Sequence, residues 1–238
     1  MALPTIADRV AHMRKTEVRN KLIKEGMEAG DLNQMAHMLH AFGAGERPNL
    51  DFDQKCSLAQ LAEQAGQDPV EVYVDRLIAS EGHEYFNLWM FGGNLENQWN
   101  YMKLPHVVPM LGDAGAHVGF FTDTDSPTVL LSELTREQGV YTLPEAVHRI
   151  TGKSAEIIGL KERGELREGW HADINIIDYE NLSTCHPEYV NDFPHGGGRF
   201  VVKGQGYDAT IVGGQVIIEN GKHTGTRPGR VIREFIRG

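Results

Sequence analysis

Two short apolar runs in the middle of the chain constrain its fold more than any other feature. Residues 85–91 predict one strand and residues 106–111 predict the next, while residues 95–102 between them have the spacing of a short helix. Parallel strands need a connection of a dozen or more residues, usually a helix, and the interval between these runs provides one. The pattern therefore predicts consecutive strand–helix units with parallel strands.

The chain changes character after residue 163. Downstream, glycine is frequent, and four short runs have the pattern of strands. Gly213-Gly214 separates the last two runs and is a two-residue hairpin signal. We therefore expect an α/β protein with two domains, an α/β region over 1–163 and a small, mostly antiparallel β segment with a C-terminal tail over 164–238. The four runs are 172–178, 200–202, 209–212 and 215–218.

Three helices in the α/β region have clear start signals. Serine or threonine followed three residues later by Gln or Glu is a capping box, and Asp followed by Pro is typical of an N-cap before the first helical residue. These signals predict where the helices begin, although not what they pack against. The starts are Ser57-Leu58-Ala59-Gln60, Asp68-Pro69 and Thr142-Leu143-Pro144-Glu145, and further helical patterns lie in residues 6–26, 129–134 and 154–160.

Acidic composition and few cysteines narrow the function classes. The formal net charge is −10, whereas attraction to nucleic acid or to an anionic membrane needs a basic face. Only Cys56 and Cys185 occur, without CxxC spacing, which argues against a disulfide scaffold and favours a reducing compartment. The first residues include Asp8 and Arg9 and have no long apolar stretch, so they predict neither a signal peptide nor a membrane span. We expect a soluble cytoplasmic protein that binds neither nucleic acid nor membrane.

Asp113 is the strongest candidate for a functional residue. It follows the 106–111 run and lies between Gly112 and Gly115, where a carboxylate is held by the strand but open to a pocket. Such a group can ligate a divalent metal or accept a proton from a metal-bound water, but aspartate before small residues is equally typical of a turn. His117 would lie near Asp113 after one helical turn, as a metal ligand or its supporting partner, or it is a structural or surface histidine.

The other histidine and aspartate patterns favour structural interpretations. His37 and His40 could share a metal on one helix face, but a partly exposed amphipathic helix explains them as well. Asp123 and Asp125 lack the further oxygen ligands of a calcium loop. His195 lies in a glycine-rich loop that strands follow, which is not the setting of a phosphate-binding loop. The sequence has no serine nucleophile elbow, Walker loop, HExxH or HxH.

Several short motifs are spread along the chain. They are Gly112-Asp113-Ala114-Gly115-Ala116-His117, the segments 151–160 and 163–178, and the C-terminal residues 206–207, 212–214, 220–221 and 224–230. Together these motifs resemble the metal-dependent amidohydrolases, and most of all their D-aminoacylase (N-acyl-D-amino-acid deacylase) branch. Each motif is short, but the resemblance extends over essentially the whole chain.

The resemblance implies a TIM-type barrel with zinc at the strand ends, followed by a small β-sandwich. The fold expected for this chain is the last strand–helix units of such a barrel plus a sandwich segment. Asp113 matches the aspartate that the family uses as catalytic base and, in many members, as metal ligand. His117 is expected to contact the substrate or to support a ligand, whereas His171 and Asp173 match a structural strand.

The family's remaining metal ligands have no counterparts in this sequence. These are the HxH after strand one, the bridging ligand and the histidines after strands five and six, and a full barrel takes about 250 residues by itself. The chain therefore resembles the C-terminal portion of a zinc-dependent hydrolase of amide bonds in N-acyl-D-amino acids, expected to be inactive alone. The alternatives are one half of a split enzyme that pairs with an N-terminal half polypeptide, or a non-catalytic interaction piece.

Overall fold

A computed structural model describes residues 5–43, 45–50, 56–89, 95–109, 112, 115–119, 122–233 and 235. The chain divides into two compact units, Met1–Leu95 and Glu96–Gly238. Within the described ranges, no helix combines the length and the apolar character needed to cross a membrane. The predicted domain boundary after residue 163 falls inside the second unit and stays a prediction.

The first unit consists of helices around a two-stranded antiparallel sheet. The sheet pairs Leu39 with Leu88 and Ala41 with Phe86. Ala36, Leu58, Ala62 and Val72 form its buried core, with other apolar side chains around them. The elements are α1 (Ile6–Met13), α2 (Thr16–Ala29), α3 (Asp31–Met35), β1 (Leu39–Ala41), α4 (Leu58–Ala65), α5 (Pro69–Ala79) and β2 (Phe86–Leu88).

The second unit combines helices with short antiparallel strands. Its largest sheet has the order β10-β9-β8-β3, and two further pairs are β4 with β7 and β5 with β6. The buried core lies around the π-helical segment 130–137 and α8. The elements are α6 (Leu95–Met102), α7 (Ser126–Val129) continuing into the π-helical segment Leu130–Glu137, α8 (Leu143–Ile150), α9 (Gly152–Ile158), β3 (Ile174–Ile177), β4 (Ser183–Thr184), β5 (Glu188–Val190), a 3-10 turn (Pro194–Gly196), β6 (Arg199–Val201), β7 (Gly204–Gln205), β8 (Tyr207–Val212), β9 (Gln215–Glu219) and β10 (Lys222–His223).

The predicted local signals for helix starts and for the hairpin are confirmed. The side chains of Ser57, Asp68 and Thr142 accept hydrogen bonds from backbone N–H groups in the first turns of α4, α5 and α8. Gly213 and Gly214 both have positive φ and join β8 to β9, as a two-residue hairpin with matching twist requires. The antiparallel character predicted for the β segment is therefore correct.

The pairing predicted for the two central runs is different in the structure. The first run contributes only β2, which pairs antiparallel with β1, a strand that the sequence reading missed. Residues 106–109 of the second run form no strand, and 110–111 lie outside the described residues. The Val107 N–H donates to the Leu104 carbonyl, and Pro109 has no N–H, so this segment is a poor partner for a ladder. Within the described residues the fold is mixed α/β with antiparallel sheets, and a barrel is not seen.

Candidate functional site

Asp113 itself lies outside the described residues, so its predicted role as catalytic base and metal ligand stays a prediction. The structure does describe the chain on both sides, at 107–109, at Gly112 and at 115–119. The candidate site is therefore built from the contacts that fix these flanking residues within the second unit.

On the N-terminal side, one buried arginine binds the backbone of the segment that leads toward Asp113. The Arg149 guanidinium donates from Nη1 to the carbonyls of Met102, Leu104 and Val107 at 3.0, 3.2 and 2.9 Å. Its Nη2 donates to the Lys103 carbonyl at 2.8 Å. Arg149 is only 9% exposed, so its charged donors lie largely away from bulk water, where hydrogen bonds from a charged group are strong. We call this arrangement of Arg149 with the carbonyls of residues 102–104 and 107 the Arg149 clamp.

Two residues of the same helix region complete the clamp. Glu145 Oε1 accepts from Nε and Nη2 of Arg149 at 3.3 and 3.0 Å, one helical turn away, and balances the buried charge. The Tyr141 ring lies under the guanidinium at 5.0 Å, and its hydroxyl donates to the Met102 carbonyl at 2.9 Å. Burial raises the pKa of Tyr141, with Arg149 acting in the opposite sense, so the hydroxyl keeps its proton and its donor role at neutral pH.

The close packing of Gly112 fixes the chain immediately before Asp113. A Cβ at this position would lie 2.5 Å from Ser126 Oγ and 2.7 Å from the backbone carbonyl of Asp123. No side chain fits at such distances without moving the neighbouring backbone. The lack of a side chain at Gly112 therefore permits the close contact with the start of α7.

After Asp113, residues 115–119 form turns and not the helical turn that the sequence suggested. Gly115 and His117 have φ angles of 90° and 46°, both in the left-handed region, and His117 is exposed. The Val118 carbonyl accepts a hydrogen bond from the Phe200 N–H at 2.8 Å, which ties the segment to β6. Residues 115–119 therefore do not form the helical turn that the sequence suggested, and the position of His117 relative to Asp113 and its role beside a substrate or ligand stay predictions.

The loop before α7 is fixed by contacts with the β segment. Thr184 Oγ1 donates to the Asp125 carboxylate, and Thr128 Oγ1 is hydrogen-bonded to the Tyr207 hydroxyl at 2.8 Å. Asp125 thus makes a structural contact with β4. These bonds stabilise the backbone against which Gly112 packs.

The other histidines singled out from the sequence do not come together. His40 is buried in β1 while His37 is exposed, so they do not share the helix face that a shared metal would need. His195 is exposed in the 3-10 turn with φ 61°. Asp173 forms an ion pair with Arg163 and accepts from the Gly213 N–H at 2.9 Å, a structural role like that implied by the resemblance.

The described residues do not provide a metal site. No three His, Cys, Asp or Glu side chains among them lie close enough together to hold a metal ion. A protein zinc site needs three or four nitrogen, sulfur or oxygen ligands around one ion.

Comparison with known proteins places these features in a family. The model of the amidohydrolase family named Amidohydro_3 matches residues 5–218. The chain is 34% identical over 105 residues to the N-acyl-D-aspartate deacylase of Alcaligenes xylosoxydans xylosoxydans, which covers 44% of this chain and 19% of that protein. It is 36% identical over 94 residues to a dihydroorotase of Endomicrobium trichonymphae, covering 38% of this chain and 21% of that protein.

Among solved structures, an N-acyl-D-glutamate deacylase from Bordetella bronchiseptica, complexed with zinc and a phosphonate inhibitor, matches 93% of this chain and 47% of its own. The TM-score is 0.44 and the sequence identity 21%. The chain thus spans less than half the length of these relatives. Because the family model matches nearly the whole chain, the chain belongs to the amidohydrolase family.

Proposed function

We propose that this chain is the C-terminal part of a hydrolase that cleaves a non-peptide C–N amide bond, with N-acyl-D-amino acids as the substrate class. The observation that carries the proposal is the family match over 5–218 together with the 34% identity to an N-acyl-D-aspartate deacylase. The motif around Asp113 supports the same substrate chemistry through the resemblance.

In this proposal Asp113 acts as the general base and then as the general acid. Its carboxylate takes a proton from the attacking water and later delivers it to the leaving nitrogen of the amide. The backbone before and at Gly112 is held by the Arg149 clamp and by the contact with α7. Such fixed flanks are what a proton-transfer group needs, because its carboxylate must stay within hydrogen-bond reach of the reacting atoms.

The proposed hydrolysis uses zinc only when further ligands are supplied from a polypeptide beyond this chain. The described residues offer no group of three His, Cys, Asp or Glu. We therefore expect the 238-residue chain alone to be inactive. Supplied zinc would provide a polarised, acidic water, and this chain would contribute the proton acceptor Asp113.

A partner polypeptide is the second part of the proposal. The matched segments cover 19% of one curated relative and 21% of another, so an enzyme built like them would need additional protein. The split-enzyme alternative supplies it as a separate N-terminal half, and the non-catalytic alternative uses this chain only for docking.

The test compares the chain alone with the chain co-purified with the polypeptide encoded immediately upstream, both loaded with zinc. The assay measures release of free amino acid from N-acetyl-D-aspartate, N-acetyl-D-glutamate and N-acetyl-D-methionine. We expect activity only in the complex and a loss of at least about 100-fold with Asp113→Asn, since removal of a general base has effects of this order. Turnover by the chain alone would refute the inactive-fragment expectation, and a stable complex insensitive to Asp113→Asn would support the docking alternative.

A further inference from the structure

A cysteine and a histidine lie together in the first unit, far in sequence from the Asp113 motif. The Cys56 sulfur is 3.7 Å from Nδ1 of His40, within hydrogen-bond distance for sulfur. His40 is in the middle of β1, and a backbone bridge from His40 to Ser57 brings the residue before α4 to this position. The pairing thus follows from the packing of α4 against β1.

The environment of His40 suits a proton acceptor. The residue is 4% exposed, a hydrogen bond with the His37 backbone fixes the ring, and the Trp89 ring lies 5.7 Å from it. Burial lowers the pKa of His40, so the imidazole is neutral at pH 7 and has a nitrogen lone pair available. A nucleophile bonded to a base that a third group orients is the usual arrangement of an activated thiol.

The environment of Cys56 suits a thiolate. Cys56 directly precedes Ser57, the N-cap of α4, where the unpaired N–H groups of the helix favour negative charge. Cys56 is only half-buried and forms no disulfide, as a site for a small reagent requires.

We propose that Cys56 and His40 form a thiol-modification site whose ligand is a low-molecular-weight disulfide. His40 takes the thiol proton while the Cys56 sulfur attacks one sulfur of the disulfide. The S–S bond of the reagent breaks, a mixed disulfide forms at Cys56, and the released thiolate receives the proton to leave as a thiol. The electrons balance, because oxidation of Cys56 is matched by reduction of half of the reagent.

The site is independent of the proposed hydrolase function, since it uses only residues of the first unit. Cys185 offers a matched control within the same molecule. It is also half-buried, and the structure shows a backbone hydrogen bond from its N–H to Lys203 but no hydrogen bond to its sulfur within the described residues. A difference in reactivity between the two cysteines therefore reports on the local chemistry around each sulfur.

The experiment exposes the full chain to glutathione disulfide at pH 7 and follows both cysteine peptides by mass spectrometry. Each rate is divided by the rate of the same peptide in urea-unfolded protein. Only the thiolate attacks disulfides, and His40 lies next to the Cys56 sulfur to take its proton. We therefore expect Cys56 to react at least about tenfold faster than Cys185. Substitution His40→Gln should reduce the Cys56 rate to that of Cys185 and leave the Cys185 rate unchanged.

Equal normalised rates at the two cysteines, or a Cys56 rate that is unchanged by His40→Gln, would overturn the proposal. A changed Cys185 rate would show that the variant is misfolded, and the wild-type pH profile then decides. We expect the Cys56 rate in the folded chain to vary less than about twofold between pH 7 and 8. The rate of the same peptide in urea-unfolded protein should rise by several-fold over that range, because a thiol in an unfolded chain has a pKa of about 8.5. A parallel rise in the folded and the unfolded protein would contradict the proposal.

Discussion

Replacing Arg149 by methionine tests whether the clamp determines the structure of the segment before Asp113. The substitution preserves the apolar stem but removes hydrogen bonds to four backbone carbonyls and the pair with Glu145. Hydrogen bonds to charged groups contribute about 1.5–3 kcal/mol each, but four on one side chain do not add, because the carbonyls share one guanidinium. The side chain of Glu145 is 43% exposed, so loss of the ion pair itself adds little, and we expect a loss of about 1.5–3 kcal/mol, mainly from the carbonyl hydrogen bonds.

The assay has a global and a local readout. Urea unfolding followed by tryptophan fluorescence gives the change in stability, and amide hydrogen exchange gives the protection of residues 102–107. Arg149→Lys should recover only part of the loss, because an ammonium lacks the planar fork that reaches several carbonyls. Arg167→Met is the matched control, since the side chain of Arg167 is 59% exposed and its ion pair with Glu165 lies at the surface.

A small effect would refute the reasoning. If Arg149→Met changes stability no more than Arg167→Met, and exchange at 102–107 is unaltered, the buried carbonyls find other partners and the clamp is not required. If Arg149→Lys is as stable as the native chain, charge alone and not the fork geometry explains the contact.

Three further predictions concern single positions. Gly112→Ala should destabilise the chain by about 1–3 kcal/mol in urea unfolding, because its Cβ would meet the Asp123 carbonyl at 2.7 Å. Gly119→Ala should be nearly neutral, because no atom of the described residues lies within 4 Å of the added Cβ. Ser57→Ala should cost about 1 kcal/mol by removing the cap of α4, and Ser57→Asn should restore most of it. Burial lowers the pKa of His40 in the folded chain below its ordinary value of 6.5. As the pH falls, His40 therefore takes up its proton first in the unfolded chain, and the free energy of unfolding should decrease between pH 7 and pH 5. His40→Gln should remove that component, and the same pH dependence in both proteins would contradict the assignment to His40.

The features that the sequence predicted correctly are those whose cause lies within a few residues. Ser57 and Thr142 cap their helices because the group that each side chain binds is three residues away. Gly213 and Gly214 form the hairpin because only their own backbone angles are involved. Such local signals predict that a helix or a hairpin forms and where it begins or turns.

The features that it missed depend on distant parts of the chain. The run containing β2 has an apolar pattern that suits either direction of pairing, and β1, its partner, lies more than forty residues earlier. Arg149 resembles an ordinary helix-surface arginine paired with Glu145 at i,i+4, because the carbonyls that it binds are 42–47 residues away. One local sign of this role was available in the sequence. Arg149 lies beside Ala146 and Ile150, which pack in the core on the inner side of α8.

The division of roles between this chain and a partner leads to a last prediction. The described contacts of Arg149 and Gly112 are with residues of the second unit, so we expect the described flanks of Asp113 to be held within this chain. In the proposed function, the partner contributes metal ligands instead. Amide protection at 102–107 should therefore be the same, within about twofold, for the chain alone and for its complex with the upstream polypeptide and zinc, since the free energy of local opening is already set within this chain. Protection that arises only in the complex would show that the partner orders this segment, and the clamp would then be a consequence of assembly rather than a property of this chain.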